Sequence, residues 1–393
     1  MAEHPLIRLL PGHDRRLRAG HPWAFSNELV LRPEHRGWSP GAPVRIEGDG
    51  GWRYGTFLFN PHSLIAARHV SRDPAASVDA AFVAARLADA AALRARLGLG
   101  AHHRLVHAEA DGLPGLIVDR YGDVAVVQAN TAGMDRLLPE ITEGLLALHP
   151  WRGIVARNDA AVRAYEGLPQ EVHLLHGDAE GAEAVEGGVR FPVDPLGGQK
   201  TGFFHDQRPN RDLVASLAAG ASVLDVFCHT GAFGLRALAA GAASALFVDS
   251  SAPTLEAAHR AAELNGLLDR ADFRRGDAFE TMEALAGEGR QFDIVVCDPP
   301  AFAKSRKDAD AGLRAYQRMA RLAAPLVVSG GLLFCASCSH HAPLDRFAAA
   351  LAAGLHRARR DGRILHTGGA GADHPVHPHL PESGYLKVQL IQL

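Results

Sequence analysis

The sequence has little cysteine, with four residues of this type in a chain of 393. So few thiols exclude the disulfide framework of a small secreted protein and are typical of proteins that work in a reducing cytosol. No apolar run approaches the roughly 20 residues that a membrane-spanning helix requires. The first residues also lack the long apolar core of a secretory signal peptide. We therefore expect a cytoplasmic protein that has no membrane partner.

The chain also lacks an excess of charge of one sign, since its formal net charge is -3 at pH 7. Whole-chain electrostatics therefore do not indicate a nucleic-acid-binding protein. Basic residues are nevertheless concentrated locally, because residues 304–363 contain eleven Lys or Arg against four Asp or Glu. The tightest cluster, Lys304-Ser305-Arg306-Lys307, is either a solvated face or a surface that contacts phosphate.

The pattern of apolar segments predicts three domains. Residues 1–73 contain short strands separated by turn-forming residues, which is typical of a small β-barrel. Residues 74–188 combine a long Ala- and Leu-rich helix with further strands, which predicts a central α+β domain. In residues 189–393 apolar strands alternate with helices, so we predict an α/β domain with a Rossmann-like parallel sheet. Ligands of such sheets lie beyond the carboxyl ends of the strands, where we therefore look for functional residues.

The first strand of this last domain ends at Asp225-Val226-Phe227 and is followed by a loop that contains Gly231 and Gly234. Glycine lets the backbone approach a ligand closely, and the N–H groups at the start of the next helix can receive an anionic group. Two glycines alone are a weak signal, because the sequence does not match a complete dinucleotide-binding fingerprint. The arrangement nevertheless predicts a nucleotide-type site.

Acidic residues end or follow the next two strands. Asp249 could accept hydrogen bonds from both ribose hydroxyls of an adenosine, or could cap the following helix together with Ser250 and Ser251. Asp277 would lie near the edge of the adenine or be an ordinary loop acid. The cofactor contacts that we predict in this part of the chain are Asp225, Phe227, Thr230, Gly231, Asp249, Ser250, Asp277 and Ala278.

The fourth strand runs into Asp298-Pro299-Pro300-Ala301-Phe302. Two prolines cannot continue a central strand, and they would fix a rigid turn that holds Asp298 at the sheet edge. Phe302 would then stack on a flat base, unless it only fills the core behind a strand end. Methyltransferases that act on exocyclic amino groups also carry such a run. The motif therefore indicates a nucleobase substrate without specifying the atom that is modified.

Cys338 follows the next strand at the point where the substrate should lie. Carbon 5 of a pyrimidine is a poor nucleophile, and a thiolate that adds to carbon 6 activates it. Asp298 could hold the N3/N4 edge of a cytosine, while the base that removes the carbon-5 proton is not identified. Two other interpretations fit less well. Cys335 and Cys338 close a strand instead of starting a helix, which disfavours a redox pair, and the irregular spacing of the cysteines disfavours zinc.

The motifs of this chain resemble those of the class I ribosomal RNA 5-methylcytosine methyltransferases of the large-subunit methyltransferase I type. The resemblance covers nearly the whole chain and is carried by segments at 20–25, 111–116, 199–208, 298–302, 337–339 and 373–375, which read GHPWAF, DGLPGL, QKTGFFHDQR, DPPAF, SCS and DHP. Together these motifs are highly specific.

The resemblance implies an N-terminal PUA domain that binds structured RNA, S-adenosylmethionine as methyl donor and a cytosine in 23S ribosomal RNA or a large-subunit precursor as target. It implies that Cys338 is the nucleophile and that Asp298 is its partner and also contacts the cofactor. No metal is expected, and a homodimer is possible. The further residues expected in the cofactor pocket are Lys200, Thr201 and Gln207, and those expected to contact RNA are Arg208, Pro299, Pro300, Phe302, Lys304, Arg15, Arg16 and Arg18.

The chain departs from many RNA 5-methylcytosine enzymes, which carry a second cysteine after a proline of the fourth-strand motif. Here Cys297 precedes Asp298 and no cysteine follows the prolines, so the group that assists product release is open. Two other functions also remain open: methylation of the exocyclic amino group of guanine or adenine, and a non-catalytic role as an RNA-binding assembly factor.

Overall fold

The computed structural model of the chain describes residues 4–198, 201–303 and 305–393. Two residues with predicted roles, Lys200 and Lys304, lie outside the described residues. The chain forms two compact units: Met1–Ala182 with Val193–His205 and Ala372–Ser383, and Glu183–Pro192 with Asp206–Gly371 and Gly384–Leu393. Each unit combines separate stretches of the sequence. The domain boundaries that the sequence predicts after residues 73 and 188 stay predictions. In the described part of the chain, no helix combines the length and the apolar character needed to cross a membrane.

The first unit begins with a five-stranded sheet. Its strands are β1 (Leu6–Arg8), β2 (Trp23–Ala24), β3 (Ala42–Glu47), β4 (Arg53–Phe59) and β5 (Ala67–Ser71), and a short helix α1 (Arg15–Arg18) follows β1. The order is β1-β3-β4-β5-β2, with only the β1–β3 pair parallel. Alternate residues of the strands fill an apolar core that includes Ile7, Val44, Ile46 and Phe57.

A second five-stranded sheet follows in the same unit. Its elements are α2 (Ala80–Arg96), β6 (His102–His107), β7 (Leu116–Tyr121), β8 (Val124–Ala129), α3 (Ala132–Arg136), α4 (Leu138–Leu148), β9 (Gly153–Asn158) and β10 (Glu171–Gly177). The strand order is β10-β9-β8-β7-β6. Helices α2 and α4 bury Val83, Leu87, Ile141 and Leu145 in one apolar core with this sheet, as an α+β arrangement requires.

The second unit holds a hairpin and a seven-stranded sheet flanked by helices. In chain order its elements are β11 (Glu183–Glu186), β12 (Val189–Pro192), α5 (Arg208–Ser216), β13 (Ser222–Val226), α6 (Ala232–Ala239), β14 (Ser244–Asp249), α7 (Ala252–Leu264), β15 (Ala271–Arg275), α8 (Ala278–Gly287), β16 (Phe292–Cys297), α9 (Ala309–Ala323), β17 (Val327–Ser337), α10 (Leu344–Arg357), β18 (Arg363–Gly368) and β19 (Lys387–Gln392). The order is β15-β14-β13-β16-β17-β19-β18.

Strands β13 to β17 are parallel, while β19 runs antiparallel between β17 and β18. The central strands are continuous apolar runs because helices cover both faces of such a sheet. The order reverses at β13, where β14 lies on one side and β16 on the other. This is the switch point at which open α/β sheets bind ligands. The last strand of the chain thus returns beside β17, and its first residue is Lys387.

A buried ion cluster joins the hairpin to the helices of the second unit. The Glu186 carboxylate accepts two hydrogen bonds from Arg211, at 2.6 and 2.7 Å, and one from Arg236 at 2.9 Å. Arg236 also donates to Asp212 at 2.6 Å. Burial opposes ionisation of Glu186, but the surrounding guanidinium groups dominate and hold the pKa of this carboxyl below its usual range. The cluster ties β11 to α5 and α6.

Candidate active site

The loop between β13 and α6 has an unusual backbone. Phe227 and His229 have φ angles of 62° and 52°, and Gly231 has 75°. For residues other than glycine this left-handed conformation costs of order 1–3 kcal/mol each, and it persists only where neighbouring groups hold it. Strain of this kind is concentrated at ligand sites. Here the strained residues lie in the loop where the sequence patterns predict the cofactor-binding site.

Two of the predicted acids hold this loop. Asp225 is buried at the end of β13, and its carboxylate accepts the N–H of Gly234 at 2.9 Å. Asp249 ends β14 and accepts the N–H groups of His229 and Ser251, each at 2.9 Å, one on each carboxylate oxygen. Asp249 therefore organises the residues that lead into α7, whose N-cap is Ser251, and supports the neighbouring loop, while its contact with a ribose stays a prediction.

The two glycines of the loop have a packing role. A Cβ atom built on Gly234 would lie 2.3 Å from the ring of Phe247 on β14, and one on Gly231 would lie 3.1 Å from it. No side chain fits at Gly234 without displacing that ring or the helix. Close contact between α6 and the sheet therefore requires glycine there, whether or not a ligand also does.

Three carboxylates interact at this sheet edge. The pKa of Asp225 is raised to about 7, chiefly by burial and also by the negative charges of Asp298 and Asp249. The hydrogen bond from Gly234 and the guanidinium of Arg211 act in the opposite direction. A buried acid surrounded by like charge favours a cationic ligand, which would relieve the repulsion. S-adenosylmethionine carries a sulfonium and an ammonium group, so these residues fit the group that the sequence predicts.

The other predicted cofactor contacts of this domain lie in the same region. Asp277 is the N-cap of α8, where one oxygen accepts the N–H groups of Phe279 and Glu280 at 2.9 and 3.1 Å. Ala278 is the buried first residue of that helix, whereas Ser250 is exposed. Thr230 is half-buried in the loop after β13. The cap explains Asp277 without a ligand, and its contact with adenine stays a prediction.

Asp298 and Cys338 leave the sheet at the same edge. Their strands β16 and β17 are parallel neighbours in register at Cys297 and Cys335, so Asp298 follows one strand and Cys338 the other. None of the four cysteines forms a disulfide; Cys338 is half-buried, whereas Cys228, Cys297 and Cys335 are buried. The thiol predicted to be the nucleophile is therefore the accessible one.

Phe302 belongs to an aromatic cluster. Its ring centroid lies 4.9 Å from Tyr316, 6.0 Å from Phe279 and 6.1 Å from Phe227. The ring remains half-buried. Pro299 is buried and Pro300 is exposed, as expected for a rigid turn that leaves the sheet. The cluster fixes Phe302 firmly, while its predicted contact with a base remains a prediction.

A hydroxyl network lies on one side of Cys338. The Tyr316 hydroxyl is 2.8 Å from the hydroxyls of both Ser337 and Ser339. The Ser339 hydroxyl also accepts the N–H of Ala303 at 3.1 Å. These bonds hold the residues on both sides of Cys338 against the turn that follows Asp298. The SCS motif thus has a physical explanation, because each serine positions the cysteine between them.

Residues of the QKTGFFHDQR segment divide between the two units. Thr201 is buried in the first unit, where its hydroxyl shares hydrogen bonds with Asp119 and Tyr121. Gln207 is buried in the second unit, and its side-chain oxygen accepts the Asn210 amide at 2.6 Å. Arg208 lies 3.7 Å from Glu186, in the ion cluster described above. Their predicted roles in ligand binding stay predictions.

The three arginines predicted to contact RNA lie on α1. The side chains of all three arginines are exposed to solvent. Arg18 pairs with Asp14 at 2.5 Å, and the guanidinium of Arg16 lies 4.8 Å from the centre of the Phe25 ring. Among the residues that the structure describes, no group of three or more histidine, cysteine or acidic side chains is arranged to hold a metal ion.

Sequence patterns miss several residues of this edge. Tyr316 lies on α9, and Lys387 lies 49 positions beyond Cys338, yet both contact the SCS segment. Only the insertion of β19 beside β17 brings Lys387 there. The chain end offered one signal, because a basic residue opens a strand that is otherwise uncharged.

Comparisons with known proteins agree with this geometry. Residues 155–360 match the family of S-adenosylmethionine-dependent methyltransferases, and residues 7–72 match a PUA-like domain. The chain is 37% identical over 391 residues to the Shewanella frigidimarina protein named ribosomal RNA large subunit methyltransferase I, and 36% identical over 388 residues to that of Photobacterium profundum. Each alignment covers 97% of both chains.

Solved structures show the same fold at lower identity. A Streptococcus mutans protein described as a SAM-dependent methyltransferase aligns with a TM-score of 0.82 and 20% identity, covering 99% of this chain and all of that one. A methyltransferase complexed with SAH aligns with a TM-score of 0.83, also at 20% identity, over 99% of each chain. The predicted combination of a PUA-like domain and a Rossmann-like methyltransferase domain is confirmed.

Proposed function

This chain belongs to the ribosomal RNA large subunit methyltransferase I family and uses S-adenosylmethionine, and from that premise we propose that it methylates carbon 5 of a cytosine in large-subunit ribosomal RNA. Cys338 is the nucleophile and Asp298 its partner. The names of the relatives support the RNA substrate. The position of the accessible Cys338 thiol supports carbon 5 as the atom that is methylated.

One observation carries the choice of carbon 5. Cys338 is a half-buried cysteine outside any disulfide, and it lies directly beyond β17, at the sheet edge where Asp298 follows the neighbouring strand β16. Methylation of an amino group needs no thiol, because the amine nitrogen itself attacks the methyl group. Carbon 5 has no such lone pair and requires prior addition of a nucleophile to carbon 6. A thiol held by a dedicated hydroxyl network supports the second chemistry.

The proposed reaction uses the residues that follow β16 and β17. The thiolate of Cys338 forms a bond to carbon 6, and the electron pair of the 5,6 double bond makes carbon 5 nucleophilic. S-adenosylmethionine, when bound, supplies the electrophilic methyl group. A base then removes the carbon-5 proton, the double bond re-forms and the bond from sulfur to carbon 6 breaks. Asp298 would hold the N3/N4 edge of the cytosine through this sequence.

The remaining assignments follow from the same proposal. The three carboxylates, with Phe227, Thr230 and Gly231, would surround the cofactor. Pro299, Pro300 and Phe302 would wall the target base. The exposed arginines of α1 would contact phosphates of the RNA, which is how proteins position nucleic acid without reading its sequence. We further propose 23S ribosomal RNA or its precursor as the substrate, in the cytoplasm, and a homodimer as a possible assembly.

Bisulfite mapping of 23S ribosomal RNA tests the proposal. We expect one protected cytosine in cells that carry the gene, its loss in cells without it, and no rescue by Cys338→Ala. The conservative change Cys335→Ala, at a buried cysteine of the same strand, should restore protection and is the matched control. A map that is identical with and without the gene would refute the substrate assignment.

A second candidate function is methylation of an exocyclic amino group, which the Asp298-Pro299-Pro300 run also favours. The Cys338→Ala variant separates the two functions. If this variant still transfers tritiated methyl groups to ribosomal RNA at the wild-type rate, the thiol is dispensable and the amino-group reaction is supported.

A further inference from the structure

Lys387 touches the segment that carries Cys338 from the opposite strand. It is the first residue of β19, and the antiparallel register places it across from Ser337, the last residue of β17. Directly opposed residues of antiparallel strands carry their side chains on the same face. The Lys387 ammonium donates to the carbonyl of Ser339 at 2.6 Å and to that of Tyr385 at 2.8 Å. It therefore contacts the residues on both sides of the cysteine.

The charge of this ammonium acts on the thiol. Lys387 is half-buried, and burial lowers its pKa, while negative charge on Cys338 is the influence that raises it. Electrostatic interaction between two titrating groups is mutual, so a cation that a thiolate stabilises also stabilises that thiolate. A nucleophilic cysteine requires such a neighbour, because the thiolate and not the thiol attacks.

Tyrosine, histidine and aspartate side chains also lie near Cys338 in the fold or in the chain. Tyr316 faces it from α9, but burial raises the pKa of this phenol and keeps it neutral near pH 7. His340 and His341, which follow in the chain, are exposed to solvent. Asp298, at the end of β16, is an acid and disfavours a nearby thiolate. Lys387 is thus a basic group that both bonds this segment and interacts with the thiol.

The choice of lysine is itself informative. Only four of the 41 basic Lys and Arg residues of the chain are lysines, so arginine is its usual basic residue. An ammonium is compact and can donate from one nitrogen to two carbonyls that converge on a point, whereas a guanidinium spreads its donors over a plane. The converging carbonyls of Ser339 and Tyr385 therefore fit lysine.

We propose that Lys387 is a positioning residue for the nucleophile: its ammonium stabilises the Cys338 thiolate, and its bond to the Ser339 carbonyl fixes the segment that holds the sulfur. This inference rests on the proposed function, in which Cys338 attacks carbon 6. It assigns Lys387 no direct contact with RNA or cofactor.

The pH dependence of alkylation by iodoacetamide tests the inference on the full chain. Cys228, Cys297 and Cys335 are buried, so reaction of the folded protein reports Cys338, and Cys338→Ser gives the background. We expect Lys387→Met to raise the pKa of the Cys338 thiol by about one unit, since an adjacent opposite charge shifts a pKa by about 1–3 units when well buried. Lys387→Arg, which keeps the charge, should raise it by clearly less.

Lys307→Met is the matched control, because Lys307 is exposed and its loss changes the net charge by the same amount. It should leave the thiol pKa unchanged. If Lys387→Met does not fold, as judged by circular dichroism, Lys387→Gln removes the charge and retains one amide donor, with the same expectation.

The outcomes distinguish a failure of the role of Lys387 from a failure of the proposed function. A thiol pKa that is the same in wild type and in the uncharged Lys387 variant would overturn the role of Lys387, even if methylation depends on Cys338. Conversely, full methylation by Cys338→Ala would refute the proposed function, while a shifted thiol pKa would still show that the ammonium acts on the sulfur.

Discussion

Asp225, the buried acid at the end of β13, should make the folded protein less stable as pH rises towards neutrality. Replacing Asp225 by Asn keeps the shape of the side chain and an oxygen that can accept the N–H of Gly234, but removes the titrating group. Burial raises the pKa of Asp225 from 3.8 to about 7. The folded state therefore binds this proton more tightly than the unfolded state, and wild-type stability should fall as pH rises from about 4 to about 7.

The magnitude follows from the shift. A difference of about three pKa units at roughly 1.4 kcal/mol each corresponds to about 4 kcal/mol of stability lost by the wild type above pH 7. Asp225→Asn avoids this loss. For a unit of 150–250 residues, each kcal/mol shifts Tm by about 2–4 °C. We therefore expect the variant to melt about 10 °C above the wild type at pH 8, and within error of it near pH 4.

Thermal unfolding of both proteins across this pH range, without cofactor, provides the measurement. Asp293→Asn is the control with the opposite sign, because hydrogen bonds from Ser222 lower the pKa of Asp293. Its contribution to stability is present at neutral pH and disappears as pH falls, so the control variant should be slightly less stable at pH 8. An Asp225→Asn variant that melts below the wild type at pH 8 would refute the assignment of a strained, buried carboxylate.

Three further substitutions have defined outcomes. Glu186→Gln leaves the buried Arg211 without its full countercharge and should destabilise the protein by about 3–5 kcal/mol, visible as a lower Tm, whereas an unchanged Tm would mean that the cluster is dispensable. Gly234→Ala would force a contact at 2.3 Å with Phe247 and should reduce both Tm and S-adenosylmethionine affinity in calorimetry, and an unchanged Tm would contradict the close packing. Tyr316→Phe removes the hydroxyl that both serines contact; methyl transfer should fall about tenfold while calorimetric cofactor affinity stays constant, and an unaffected rate would contradict the positioning role.

Local sequence patterns were sufficient where a residue's surroundings are set by its own strand and loop. The parallel strands, the acids at the ends of β13 and β14, and the turn at Asp298 follow from apolar periodicity and from the chemistry of proline and glycine. The register of β16 and β17 then brings Asp298 and Cys338 to one edge.

Contacts between distant segments could not be predicted in this way. Lys387 reaches the SCS motif because the final strand inserts antiparallel beside β17, and no local pattern specifies that order. Tyr316 is one of several buried positions on α9. The role of its hydroxyl becomes visible only from its tertiary contacts with Ser337 and Ser339. The two glycines after β13 were interpreted as space for a ligand, whereas Gly234 is required by Phe247.

Covalent trapping tests the role of the Cys338 sulfur most directly. In RNA that carries 5-fluorocytosine at the target position, carbon 5 has fluorine in place of the proton that must leave, so the bond between sulfur and carbon 6 should persist. Mass spectrometry of the protein after incubation with this RNA and S-adenosylmethionine should show a nucleotide adduct on the peptide that contains Cys338, absent from Cys338→Ala. Methyl transfer to ordinary RNA with no adduct at Cys338, or an adduct on another residue, would contradict the mechanism.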